Sequence, residues 1–271
     1  MSVVVNTNSL SIGIQSNLQN ATTDLAKRMK RLSSGLRINS ASDDAAGLAI
    51  SAKLNSHVSG SDVAKNNAQT GINMLQTAEA DLGQIATLLQ RMRDLAVQSA
   101  NGVYSNAERS NLNTEYSSLN TEIGRIVDSS SFAGQSLFSG STVKFWIGAG
   151  STTNTNSIDV ALEAASTIKG TLGAISSAAT AQTAIETIDN HISTIASKRA
   201  NLGSKINTLS STITRIATTK ENLASAKSTL LDADIAEEAA AMTRSQILQQ
   251  TATTMLQQAN QAPSIALMLV Q

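Results

Sequence analysis

The stretch Ile185–Leu230, IETIDNHISTIASKRANLGSKINTLSSTITRIATTKENLASAKSTL, decides the fold. In alternating steps of three and four it reads Ile185, Ile188, Ile192, Ile195, Arg199, Leu202, Ile206, Leu209, Ile213, Ile216, Lys220, Leu223, Lys227 and Leu230, eleven of these fourteen being apolar. That spacing lays one continuous stripe along an α-helix and has no counterpart on a strand, where the period is two. No Pro interrupts it, and its one glycine, Gly203, stands beside the stripe. A single helix of about 46 residues is expected, roughly 69 Å long at 1.5 Å per residue. One apolar stripe does not offset the ordering of so long a backbone, so partner helices must cover it.

Those partners are found on both sides. Upstream, Ala64, Ala68, Gly71, Leu75, Ala78, Leu82, Ile85, Leu89, Met92 and Ala96 predict a helix from AAGLAI (45–50) to about Ala100, stopped by Asn101 and Gly102. A shorter helix with Leu112, Tyr116, Leu119, Ile123 and Ile126 follows, and the tight stop makes the two antiparallel neighbours. At the N-terminal end Ile14, Leu18, Ala21, Leu25 and Leu32 mark another amphipathic helix. LSSGLRINSASDD (32–44) then reads as a linker whose Ser42, Asp43 and Asp44 offer helix caps.

The middle changes character: Phe132, Phe138, Phe145 and Trp146 are four of the six aromatics. Thr142–Ile147 and Ser157–Leu162 predict a β-hairpin, expected to be the only sheet. Beyond Leu230 the register breaks at Asp232, Asp234, Glu237 and Glu238, then resumes at Leu248, Ala252, Met255, Ala259, Ala262, Ala266 and Leu269. Pro263 lies inside this last helix and is expected to kink or end it. The fold class is therefore mainly α, a long antiparallel coiled-coil-like helix bundle with one small β-hairpin. Residues 1–32 and 232–271 form a domain of terminal helices, 33–45 a linker, and 46–231 a helical domain containing the hairpin at about 142–162.

The basic cluster Lys27, Arg28, Lys30 and Arg31 and the acidic cluster Asp232, Asp234, Glu237 and Glu238 lie at the inner ends of the two terminal helices. The opposite signs point to antiparallel pairing with the clusters side by side; the plainer reading is two solvated faces.

Composition excludes several function classes. Twenty basic residues balance twenty acidic ones, which favours neither nucleic acid nor an anionic membrane. With no Cys there are no disulfides and no thiol chemistry. The longest apolar run, Ile265–Val270, is far short of the roughly 20 residues of a bilayer span, so no membrane insertion is expected. Met1–Leu10 has no basic region and no apolar core, so no cleavable signal peptide is expected.

The search for chemistry is equally negative. His57 and His191 are isolated, and the HExxH, GxSxG and phosphate-loop patterns are missing. Asp43/Asp44 and Glu237/Glu238 are adjacent pairs, which diverge by about 100° on a helix and do not converge on a substrate. No catalytic, cofactor or metal residues are assigned. What remains is association: the final helix has Ala at four of its seven seam positions and the first helix has a short seam, so the pair buries little. Such a pair is ordered by neighbouring copies, which describes a self-assembling structural protein. A coiled-coil adaptor or signalling protein is the alternative from another class.

Four segments carry a resemblance. Leu32–Ile50 (LSSGLRINSASDDAAGLAI), Asn66–Gln76 and Leu89–Asn101 (LQRMRDLAVQSAN) resemble the N-terminal signature of bacterial flagellin, and Ser245–Ala262 (SQILQQTATTMLQQANQA) its C-terminal signature. The resemblance spans nearly all of Met1–Phe138 and Ile185–Gln271, leaving about 45 residues between.

It implies a subunit that self-polymerises into the extracellular flagellar filament, exported through the flagellar type III apparatus. The terminal helices would form the inner tube wall and the middle helices an outer core. A hook–filament junction protein is the neighbouring alternative. Implied partners are other copies, an export chaperone, the filament cap, junction proteins and a host toll-like receptor, whose contact pattern falls on Gln90, Arg91, Leu95, Gln98 and Glu115. The family is often O-glycosylated in its middle region. Here Ser129, Ser130, Ser131, Ser139, Ser141, Thr142, Ser151, Thr152, Thr153, Thr155 and Ser157 are candidates, with an unmodified polar surface as the alternative.

Overall fold

Helix signals in the sequence become six helices among the described residues: α1 (Ser9–Ser34), α2 (Ala45–Ala100), α3 (Asn106–Ser129), α4 (Ala165–Lys169), α5 (Ala178–Leu231) and α6 (Ile235–Met268). Four short strands, β1 (Ser131–Phe132), β2 (Gln135–Ser136), β3 (Thr142–Trp146) and β4 (Ser157–Ala161), lie between α3 and α4. The structure is a computed structural model and describes residues 7–150, 156–170 and 172–268, with side chains up to Gln261. Contacts divide it into two compact units: Ser56–Glu221, and the chain up to Asn55 together with the chain from Asn222 onward.

The Ser56–Glu221 unit holds the core. All ten α2 stripe residues from Ala64 to Ala96 are buried. On α5 every seventh residue, Ile188, Ile195, Leu202, Leu209 and Ile216, is buried, while Ile185, Ile192, Ile206 and Ile213 are half-buried. The two helices run antiparallel, since ion pairs join Asp62 to Lys220, Glu79 to Arg199 and Arg93 to Asp189, each at 2.6 Å. Helix α3 is started by a capping box: Ser105 accepts from the Glu108 N–H while the Glu108 carboxylate accepts from the Ser105 N–H. It returns along α2, with Arg91 on Glu115 and Arg109 on the Ser99 and Asn101 carbonyls.

β3 pairs with β4 in the register Phe145↔Ile158, and Phe145 is buried. Its ring lies against Gly71 of α2, where a Cβ would stand 3.1 Å from Cδ1. This hairpin is not the only sheet. β1 and β2 form a second one around Ala133 (φ 50°) and Gly134 (φ 82°), a two-residue loop with positive φ at both positions, as a type I′ turn requires. Ala at the first of these positions hides that turn from a sequence reading.

Two further expectations need correction. Helix α5 begins at Ala178 rather than near Ile185, because Ser177 and Thr180 cap each other and Ala181 and Ala184 continue the buried stripe with small side chains. Pro263 does not end α6, which continues to Met268.

In the other unit α1 and α6 run antiparallel: the Asn8 amide donates to Ala259 O at 2.8 Å and Gln249 to Thr22 Oγ1 at 3.3 Å. Asn8 caps α1, Gly35 (φ 68°) ends it, and Asp44 and Asp234 cap α2 and α6. Residues 35–44 are no loose linker. Leu36 bridges Asp232, Arg37 N donates to Leu231 O at 2.6 Å, Ala233 N donates to Gly35 O at 2.9 Å, and Ile38 is buried. Asp43 folds the turn by accepting from the Ser40 hydroxyl and from the Asn39 and Ser40 amides, and these hydrogen bonds, the hydroxyl's foremost, hold its carboxyl below the usual range.

Candidate assembly surface

Helices α1 and α6 present a surface unlike that of the other unit. Ala21, Ser245 and Ala259 are the small residues buried along this pair, whereas Leu10, Ile12, Met29, Ile235, Ile247, Leu248 and Met255, together with Ile50 of α2 in the same unit, are between 49% and 62% exposed. Two consequences follow from the seam composition. Alanine lets the backbones approach but buries little area, and the larger seam residues Leu248 and Met255 lean out at the edge. Between the helices lies a groove of about 460 Å³, lined by Ile14, Asn17, Ala21, Leu248, Ala252 and Met255 among others.

At the inner end of the groove only part of the two charge clusters meets. Arg28 Nη1 and Arg31 Nη1 each donate to Glu238 at 2.9 Å, one to each carboxylate oxygen, and Glu238 is buried. Burial by itself pushes the Glu238 carboxyl up, but the hydrogen bonds and charges of the two arginines outweigh it and hold it below its ordinary 4.5. Arg28 is raised in turn, chiefly by its hydrogen bond to Glu238. The other five candidates go elsewhere. Lys27 reaches Asp43 at 3.8 Å, Asp232 accepts from Ser228 and Asp234 caps α6, while Lys30 and Glu237 make no ion pair among the described residues. Glu237 sits in the first turn of α6, where the helix dipole favours a negative charge. The pairing of Lys27 with Asp43 and the backbone bridge at Leu36 are not visible in charge patterning; the apolar alternation of Leu36 and Ile38 is the one signal for the bridge.

The comparisons with known proteins fit this two-ended arrangement. Residues 5–143 match the family model described as bacterial flagellin N-terminal helical region, and residues 185–270 the one described as bacterial flagellin C-terminal helical region. The chain belongs to the bacterial flagellin family. It is 39% identical over 248 residues to a flagellin of Halalkalibacterium halodurans, covering 90% of this chain and 91% of that one. Polar flagellin F of Vibrio parahaemolyticus is 48% identical over 153 residues, 56% of this chain and 41% of the relative. B-type flagellin of Pseudomonas aeruginosa is 45% identical over 168 residues, 61% and 34% respectively. The match to these last two thus spans well under half of their length. The crystal structure of Bacillus cereus flagellin superposes with a TM-score of 0.51 at 31% identity, covering 60% of this chain and 94% of that one. A flagellar hook-associated protein structure from Vibrio parahaemolyticus gives 0.61 at 17% identity, covering 70% and 100%, a likeness of fold alone.

Of the receptor-contact candidates in this flagellin, Gln90, Arg91, Gln98 and Glu115 are exposed. Arg91 and Glu115 face each other, with Nε and Nη2 at 3.0 and 2.6 Å from one carboxylate oxygen, and the Gln98 amide donates to Tyr104 Oη at 3.0 Å. Leu95 is different. It is 1% exposed, because three residues beyond Met92 it falls on the core side of α2, and it offers no surface to a partner. Among the glycosylation candidates Ser129, Ser131, Ser139, Ser141 and Thr142 are exposed and Ser157 is half-buried in β4. Ser130 is a correction: it is buried at the end of α3 with its hydroxyl on Asp81. Ser151, Thr152, Thr153 and Thr155 lie outside the described residues. His57 is exposed, His191 packs beside Gly170, and no group of three metal-ligating side chains occurs among the described residues. No described helix is long and apolar enough to cross a membrane.

Proposed function

We propose that this flagellin is a structural subunit that polymerises with copies of itself into the extracellular filament of the bacterial flagellum, for motility. The observation that carries the reading is that eight large apolar side chains on the terminal unit are left about half-exposed, two of them, Leu248 and Met255, on a groove that its own helices leave unfilled. Large apolar side chains left exposed beside an unfilled groove favour association, and covering them with further copies stabilises the pair by mass action. In the filament, the terminal helices, residues 1–32 and 232–271, form the inner tube wall and the Ser56–Glu221 unit the outer core.

Export through the flagellar type III apparatus, an export chaperone, the filament cap and junction proteins belong to the same reading. A host toll-like receptor meets the outer core at Gln90, Arg91, Gln98 and Glu115. Ser129, Ser131, Ser139, Ser141 and Thr142 are the surface hydroxyls open to O-glycosylation. Neither catalysis nor a cofactor has a part in it.

Negative-stain electron microscopy of purified monomer before and after seeding or salting out tests it, with limited proteolysis alongside. Long tubular filaments, from a monomer trimmed by protease only in its terminal segments, are expected. Small discrete oligomers with resistant termini would overturn it in favour of a coiled-coil adaptor.

A further inference from the structure

The chain reverses between α2 and α3 through Asn101-Gly102-Val103-Tyr104, and we infer that Asn101 is a site of spontaneous deamidation in the folded protein. The chemistry is closed in its atoms. The Gly102 backbone nitrogen gives up its proton to a solvent base and attacks Asn101 Cγ, a new N–Cγ bond forms, and the side-chain nitrogen leaves as ammonia. Water then opens the resulting five-membered imide at either carbonyl, giving an aspartyl or an isoaspartyl residue at position 101. One water is consumed, one ammonia is released, and nothing is oxidised or reduced.

Four features of the turn favour this. Asn101 and Gly102 are both exposed, so solvent reaches amide and imide alike. The neighbouring amides are engaged, Asn101 N on Gln98 O and Tyr104 N on Asn101 O, whereas Gly102 N donates to no group among the described residues and is available as the nucleophile. The electrophile is polarised: Val103 N–H donates to Asn101 Oδ1 at 3.1 Å, so the oxygen that gains charge in the tetrahedral intermediate already has a donor on it. The Arg109 guanidinium lies on the Asn101 carbonyl at 2.9 Å, and a fixed cation beside Gly102 favours loss of its amide proton.

Asn39-Ser40 shows the opposite arrangement. There the Ser40 N–H is held by Asp43 at 3.1 Å and the Asn39 amide nitrogen donates to Leu36 O at 2.8 Å, so nucleophile and leaving group are both committed.

The product alters the turn. An aspartyl residue places a new negative charge near Arg109, while an isoaspartyl residue lengthens the main chain by one carbon and displaces the carbonyl that Arg109 and Tyr104 hold.

The test is incubation of the full-length protein in neutral and mildly alkaline buffer, followed by peptide mass spectrometry and labelling with an isoaspartyl methyltransferase. The peptide carrying Asn101 is expected to gain the amide-to-acid mass difference faster in the alkaline buffer and to accept methyl label, while the Asn39 peptide stays unmodified. Gly102→Ala is the control: no atom lies within 4 Å of the added Cβ, so the variant folds, yet the methyl group hinders attack and slows the gain on the order of tenfold. Absence of the gain at Asn101 in folded protein, under conditions that convert the same peptide in isolation, would overturn the inference. So would an equal gain at Asn39, or an unchanged rate in Gly102→Ala.

Discussion

Glu238 of α6 holds Arg28 and Arg31 of α1 on its two carboxylate oxygens, and this one buried acid joins the inner ends of the terminal helices. Replacing it with Gln leaves two arginines on a neutral amide and is expected to cost about 1.5–3 kcal/mol, the range for a hydrogen bond to a charged group. Its pH dependence has a definite sign. The folded carboxyl titrates below 4.5, so its contribution is complete above that pH, declines as pH falls through 4.5 because the unfolded chain binds the proton first, and is gone once the folded carboxyl is protonated. Denaturant titrations of wild type and Glu238→Gln should show an acid slope in the first and a shallower one in the second.

The Phe145 ring occupies the space a side chain at Gly71 would need. Gly71→Ala gains about 1 kcal/mol of helix propensity against a contact that must give by a few tenths of an ångström, whereas Gly71→Leu has no such allowance. Gly71→Leu is expected to destabilise the protein by about 2–3 kcal/mol and to free the β3–β4 hairpin. Urea midpoints and Trp146 fluorescence would report the two effects separately.

Tyr116 is buried and its hydroxyl donates to Leu172 O at 2.5 Å, while Ser99 and Asn113 hold Ile175. Burial pushes the Tyr116 hydroxyl up from 10.0 to about 12. The unfolded chain therefore loses the proton first on the alkaline side: the contribution is whole below pH 10 and disappears as pH rises through about 12. Tyr116→Phe should cost about 1 kcal/mol at neutral pH, flatten the alkaline slope and speed amide exchange at Leu172 and Ile175.

Leu248 and Met255 line the terminal groove but are about half-exposed, so Gln at both positions removes little from the monomer. The double variant is expected to keep the monomer's circular dichroism and to raise the concentration needed for filaments on the order of tenfold, at roughly 1.4 kcal/mol of lost burial between copies. Sedimentation of seeded samples measures it.

Arg91 and Glu115 are well exposed despite their short contact, with side chains 56% and 45% accessible. A double-mutant cycle to Ala should give a coupling of at most about 0.5 kcal/mol, falling with added salt. A loss of receptor signalling in either single variant would then report on contact rather than on unfolding.

What was legible in the sequence follows what a period of 3.6 can encode. The α2 stripe from Ala64 to Ala96 is buried at every position because an unbroken helical spacing of apolar and small residues on one face leaves a helix one way to pack. Leu95 escaped this reading, since the core of α2 is wider than the seam and takes in the residue beside Ala96. Ser130 escaped it because a hydroxyl on a carboxylate is buried at little cost, and hydropathy does not register the partner. The β1–β2 hairpin rests on a positive φ at Ala133, which residue type argues against. Charge patterning found the ends that meet but not which members meet, because Asp232 and Asp234 are taken up by groups within four residues of them and Lys27 by Asp43, and opposite sign alone does not rank these partners.

The antiparallel bridge of Leu36 to Asp232, with Arg37 on Leu231 and Ala233 on Gly35, joins residues from near the two ends of the chain. Contacts of such sequence separation form late, because the loop they close must first be ordered. A chain emerging N-terminus first has no partner for residues 35–37 until residues 231–233 arrive, whatever the middle has already done. The terminal pair therefore cannot close before the second half of the chain is made, and until then α1 remains a lone amphipathic segment.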